Sequence, residues 1–268
     1  VTETATVDVQ GARIAWRQSG HGPDVVVLLH GLGGSRVSWE PQMVALGERA
    51  LVAAWDLPGY GASPPLDGPM TFPALADAVA SWLDELGTDR AHLVGISFGG
   101  MVAQYAAALH PDRVASLTLL ASSPKFGLDG TEPDAWRAAR LAPLDQGLEP
   151  ADFADLVLGA LAGPGITPDA MAGQRAAMER ISSAALRRSI DCLVTHDSRS
   201  LLPEIAAPTV CLVGDLDDET PVAYSQAIVD LVPGARLEVV PGAGHLLNVE
   251  APDAVNDAVL RQVEEDRR

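Results

Sequence analysis

The chain has 268 residues, enough for one large α/β domain carrying an insertion or for two small domains, and with 47% of them hydrophobic a disordered chain is excluded. Its formal net charge of -18, with Lys125 as its one lysine, gives a surface potential that repels nucleic acid and anionic lipid. No run of about 18 apolar residues occurs, and Val1-Thr2-Glu3-Thr4 lacks the blocks of a signal peptide, so a cytoplasmic protein with no membrane partner is expected.

Val7-Asp8-Val9 and Ile14-Ala15-Trp16, flanking Gln10 to Arg13, read as a hairpin at a sheet edge. Val25 to Leu29 is apolar without alternation, as in a strand buried on both faces, and it runs into His30-Gly31-Leu32-Gly33-Gly34-Ser35. Helical spacing follows over Trp39 to Arg49, then an apolar strand over Leu51 to Trp55 and a loop from Asp56 to Ser63. Phe72 to Leu86 fits a helix with Leu75, Val79, Trp82 and Leu86 on one stripe and Gly87 as its C-cap. Further strands are expected at His92 to Val94, Val114 to Leu120, Thr209 to Val213 and Leu237 to Val240, with a closing helix over Ala254 to Val263. This alternation indicates an α/β fold with a doubly wound, mostly parallel, eight-stranded sheet.

Ser122 to Pro208 breaks the rhythm. Its Ala-rich helical segments, near Ala135 to Leu141, Ala151 to Leu161, Pro168 to Arg180 and Ala184 to Val194, carry no strand signal. They read as a helical cap inserted after the sixth strand, over the carboxyl edge where open α/β sheets bind ligands. The expected division is a core of residues 1–122 and 208–268 with a cap of 123–207. Cys192 and Cys211 are isolated and read as small core residues, and no metal-ligand spacing occurs.

Gly95-Ile96-Ser97-Phe98-Gly99 follows the apolar run His92 to Val94 and precedes a helical pattern from Met101 to Leu109. A serine on a sharp turn from strand to helix, with glycines where side chains would collide, has the form of a nucleophile elbow. A serine hydroxyl is a weak nucleophile at neutral pH, so Ser97 needs a base and an acid to orient it. Of six histidines, His245 in Pro241-Gly242-Ala243-Gly244-His245 sits in a small-residue loop after a late strand and fits the chain order Ser, acid, His. The loop after the preceding strand, Gly214 to Pro221, offers Asp215, Asp217, Asp218 and Glu219; the loop one strand earlier, Ala121-Ser122-Ser123-Pro124, has no carboxylate. For an oxyanion, the amides of Phe98 and Leu32 are the expected donors, with His30 shaping the second loop. A phosphate cradle is the rival reading of that Gly-rich loop, but no GK[ST] or G-x-G-x-x-G follows.

These stretches together resemble the α/β-hydrolase family over nearly the whole chain. In that family the acid is usually the Asp of a G-x-x-D-x-x-x-P loop, which Gly214, Asp217 and Pro221 match, so the resemblance selects Asp217. Leu202 to Thr209 and Gly244 to Pro252 carry a further resemblance to 3-oxoadipate enol-lactonases and related lactonases and esterases, although Phe98 stands where those relatives often have Met. The resemblance implies a cofactor-independent serine hydrolase of a small-molecule ester or lactone, with Ser97, His245 and Asp217 as catalytic residues and no metal. A serine at the elbow argues against the carboxylate-nucleophile chemistry of epoxide hydrolases and haloalkane dehalogenases. Carbon-carbon bond hydrolases and cofactor-free haloperoxidases, better viewed as perhydrolases, share the triad; a slow-turnover receptor or lyase is the alternative of another class. Candidate substrate contacts are Phe126, Trp136, Arg137 and Leu246, with Lys125, Arg140 and Arg199 as further cations in or beside the cap and Leu141 as a further apolar candidate. A homo-oligomer is compatible with the sequence.

Overall fold

The structure, a computed structural model, describes residues 7–9 and 14–268. Eight strands, β1 (Val7–Val9), β2 (Trp16–Ser19), β3 (Val25–Leu29), β4 (Leu51–Trp55), β5 (Ala91–Ile96), β6 (Val114–Leu120), β7 (Thr209–Gly214) and β8 (Arg236–Val240), form one sheet in the order β1-β2-β4-β3-β5-β6-β7-β8. The first two are antiparallel additions at one edge, and all pairings from β4 to β8 are parallel. Val9 pairs with Trp16, so the expected hairpin exists; its turn, Gln10 to Arg13, lies outside the described residues.

The central strands are predominantly apolar because each face is covered, and the buried His92 of β5 and Ser116 of β6 pair with each other at 2.8 Å. Val25, Val27 and Leu29 of β3 pack with helices α2 (Phe72–Glu85) and α3 (Phe98–Leu109) on one face. Val26 and Leu28 pack on the other, against α1 (Glu40–Gly47) and the C-terminal α10 (Pro252–Asp266). The order of the strands reverses at β3, with β4 on one side and β5 on the other, and such a switch point is where ligands bind in open α/β sheets.

Between β6 and β7 the chain forms α4 (Pro133–Asp145), α5 (Ala154–Leu161), α6 (Pro168–Met178) and α7 (Ser183–Leu193). A helix the apolar pattern does not announce, α8 (Val222–Val229), follows β7; its buried residues, Ser225 and Ile228, make too thin a stripe to stand out. A short α9 (Leu247–Glu250) precedes α10. Among the described residues, no helix is long and apolar enough to cross a membrane. Cys192 and Cys211 are free and buried, and burial pushes both thiols up to about 12.

Candidate active site

The turn from β5 into α3 is built by close approach. A methyl on Gly95 would lie 2.4 Å from the Gly99 carbonyl oxygen, and one on Gly99 would lie 2.0 Å from that of Leu29. Only a bare backbone lets strand, turn and helix pack this tightly. Ser97 between them takes φ 52° and ψ -118°, a conformation that costs a non-glycine residue about 1–3 kcal/mol and persists because its surroundings hold it. Its N–H donates to Leu120 O at 2.8 Å, and its carbonyl accepts from Met101 N at 3.0 Å and Ser122 Oγ at 3.1 Å.

Because β3 and β5 are neighbours, with Leu29 opposite Gly95, the loop after β3 rises beside Ser97. A methyl on Gly31 would sit 3.3 Å from Ser97 Cβ. His30 braces this loop from beneath: its Nε2 accepts from Leu57 N at 3.0 Å and its Nδ1 donates to Gly31 O at 2.9 Å. Burial lowers the pKa of His30 and keeps it neutral, as this donor and acceptor pair requires. Phe98 N–H opens α3, where an amide has no carbonyl behind it in the helix, and Leu32 N–H has no protein acceptor among the described residues. The Phe98 ring itself is in the core, 5.3 Å from the Phe72 ring. Leu32 and Ser97 line the same two cavities.

Asp217 and His245 meet from the loops after β7 and β8. His245 Nδ1 lies 2.9 Å from Asp217 Oδ2, with Thr220 Oγ1 donating to the same oxygen at 2.8 Å, while Oδ1 accepts from Glu219 N at 3.0 Å and Thr220 N at 2.9 Å. Burial by itself would raise the Asp217 carboxyl, but the charge and hydrogen bonds of His245, together with Thr220, hold it below the ordinary carboxylate value. Burial likewise works to lower His245, yet the charge and hydrogen bond of Asp217 win, and its pKa is raised above 6.5. Asp215 turns away and accepts from Gly242 N. The His245 loop is clamped by Glu250, whose carboxylate accepts from Gly244 N at 2.8 Å, Leu246 N at 2.9 Å and, from the segment after α5, Gly163 N at 2.9 Å. His245 N adds a bond to Leu161 O at 2.9 Å.

Ser97 lines three cavities, of about 50, 110 and 220 Å³, and His245 shares the first two with it. No hydrogen bond joins Ser97 Oγ to His245 Nε2 among the described residues. The 110 Å³ cavity is walled by apolar side chains of the helices between β6 and β7, including Trp136, Val157, Met178 and Leu193. Trp136 is among the expected substrate contacts and also lines the 220 Å³ cavity; Val157, Met178 and Leu193 carry no sequence signal, because a helix residue facing a cavity has the same apolar spacing as one facing the core. Phe126 and Lys125 line the 220 Å³ cavity, and Leu246 the smallest. Arg137 is not brought to the site: it lines none of the three and pairs with Asp191, since α4 turns it toward α7. Arg199 pairs with Asp197, and Leu141 is buried in packing. A larger cavity of about 380 Å³ beside Pro64, Asp77 and Trp82 shares no residue with the Ser97 cavities. Among the described residues, no group of three or more His, Cys, Asp or Glu could hold a metal ion.

A serine on a strained turn between strand and helix, beside a histidine bonded to a buried carboxylate at the carboxyl edge of a parallel sheet, defines an α/β-hydrolase architecture. Residues 26–258 match the model of the alpha/beta hydrolase family, and the chain belongs to that family. Over 235 residues it is 34% identical to a pimeloyl-[acyl-carrier protein] methyl ester esterase of Chromobacterium violaceum, covering 84% of this chain and 88% of that one. It is 28% identical over 241 residues to 3-oxoadipate enol-lactonase 2 of Acinetobacter baylyi, covering 87% and 86%. The solved structure of a thermophilic esterase from Thermogutta terrifontis superposes with a TM-score of 0.80 at 27% identity, covering 98% of this chain and 100% of that one.

Proposed function

We propose that the protein is a serine hydrolase of carboxylic esters or lactones. Ser97 Oγ attacks the carbonyl carbon as His245 Nε2 takes its proton, and the carbonyl electron pair moves onto oxygen, facing the amides of Leu32 and Phe98. Collapse of the tetrahedral adduct breaks the ester bond while His245 returns the proton to the leaving oxygen. Water, deprotonated by His245, then attacks the acyl-enzyme and frees Ser97. Asp217 keeps the proton of the neutral imidazole on Nδ1 and stabilises the imidazolium. Residues 1–122 and 208–268 form the catalytic core on this reading, and 123–207 form a cap that walls the substrate chamber.

The observation that carries the reading is the 2.9 Å bond between Asp217 and His245 at the rim of cavities that Ser97 also lines. The names of the esterase and lactonase relatives agree with it. The test is steady-state hydrolysis of an aryl acetate, a neutral lactone and an anionic enol-lactone by wild type, Ser97→Ala and His245→Ala. Multiple turnover on at least one of them, lost in both variants, is expected. A single stoichiometric burst, or turnover that survives Ser97→Ala, would overturn the reading.

A further inference from the structure

The cavities that meet at Ser97 differ in chemistry. The 110 Å³ chamber is hydrocarbon-walled, whereas the 220 Å³ chamber is lined by Ser123, Thr131, Thr220 and Tyr224 among others. Besides His245, the charged side chains lining them are Lys125 and Arg140 against Asp129, Asp218 and Glu219. Glu219 lines both larger chambers, and so does Trp136. Arg140, reaching from α4, stacks 5.0 Å over the Trp136 ring and bonds Glu219 through Nη2, at 3.3 Å to Oε2 and 3.5 Å to Oε1. Other arginines of these helices are likewise occupied: Arg137 by Asp191, Arg175 by Asp155 and Arg187 by Asp145.

Resting on the hydrolase reading, we propose that the Arg140–Glu219 pair sets the charge selectivity of the site, so that it accepts uncharged esters with a hydrocarbon chain and rejects those whose chain ends in a carboxylate. A carboxylate carried into the apolar chamber loses its water and finds the one cation there already bound by Glu219. In the polar chamber it meets Lys125, but also Asp129, Asp218 and Glu219. The protein's net charge of -18 adds to the repulsion before encounter. A neutral chain meets none of these penalties and gains by leaving water. The pair is half-exposed, so it contributes little to folding and its loss leaves the fold standing.

The probes are p-nitrophenyl hexanoate and mono-p-nitrophenyl adipate, which differ by a terminal carboxylate. Wild type is expected to favour the hexanoate in kcat/KM by at least about tenfold, the effect of an uncompensated charge at several ångströms in a half-wet site. Glu219→Gln keeps an acceptor for Arg140 but leaves its charge uncompensated, so the preference should narrow by about tenfold, and Glu219→Gln with Arg140→Gln should restore it. Equal or better use of the adipate by wild type overturns the proposal, as does a preference unmoved by Glu219→Gln. Ser97→Ala, titrated calorimetrically with methyl hexanoate and monomethyl adipate, tests it without turnover: tighter binding of the neutral ester supports it, and tighter binding of the charged one overturns it. If neither aryl ester is hydrolysed, the binding comparison still decides the selectivity, and the hydrolase reading falls only if the aryl acetate and both lactones are not turned over either.

Discussion

Asp217→Asn is the most discriminating substitution, because four carboxylates share one loop and the structure joins one of them to His245. The side chain is fully buried and accepts four hydrogen bonds, from Glu219 N, Thr220 N, Thr220 Oγ1 and His245 Nδ1. Asparagine preserves the shape but removes the charge, and its NH2 group cannot accept the proton that His245 must carry on Nδ1. With unit charges about 4 Å apart and an effective dielectric of about 20, the lost attraction on the imidazolium is about 4 kcal/mol. At about 1.4 kcal/mol per decade that is a fall in kcat/KM of about a thousandfold, mostly in kcat. The assay is steady-state hydrolysis of a neutral aryl ester, with the urea midpoint measured alongside to show that the variant is folded. Asp215→Asn is the control, since Asp215 bonds only the Gly242 amide. Activity of Asp217→Asn within about tenfold of wild type, or an equal loss in Asp215→Asn, would refute the assignment of the acid.

Because Asp217 raises the pKa of His245 above 6.5, and the base works only when neutral, kcat/KM should fall as pH drops through that raised value; a midpoint below 6.5 would contradict the pairing. The same shift makes a stabilising contribution that is complete below pH 6.5 and lost as pH rises through the folded value, while that of Asp217 is present above 3.8 and lost on acidification, both readable in urea midpoints against pH. Glu250→Gln should lower kcat about tenfold with little change in KM, because an amide cannot accept all three amides that hold the His245 loop, and should move the acid limb down as one nearby negative charge is lost. Gly99→Ala places a methyl 2.0 Å from Leu29 O and should cost about 3 kcal/mol in denaturant unfolding. Asp56→Ala removes a buried carboxylate that lies 3.5 Å from the Arg36 guanidinium and accepts from Arg36 N at 2.9 Å and Ala62 N at 3.1 Å, and should cost about 2–4 kcal/mol by the same measurement.

Much of the fold was legible in the chain because it follows from burial. Strands covered on both faces are predominantly apolar, so Val25 to Leu29, Leu51 to Trp55 and, despite Ser116 and Thr118, Val114 to Leu120 declare themselves without any partner in view. Gly95 is equally local, because a Cβ there would meet Gly99 and Gly100 of the same turn, whereas Gly99 is kept bare by Leu29 and His30 at the end of the neighbouring strand. The helix α8 escaped, since its buried face is too narrow to give a period.

Other features have no local signature at all. Asp215, Asp217, Asp218 and Glu219 are alike in composition and spacing, and family likeness alone singled out one; in three dimensions the turn after β7 aims Asp217 at a ring 28 residues away. Arg137 and Arg140 look interchangeable on one helix, yet the packing of α4 sends the first to Asp191 and the second to Glu219 beside the Ser97 cavity. Glu250 reads as one more surface acid until the fold brings three amides from two segments onto its carboxylate. The sequence by itself determined which segments are buried and how the chain turns at Gly95, because those demands act on neighbouring residues. Which charged groups meet was decided only by tertiary structure, because it depends on relative positions of segments far apart in the chain.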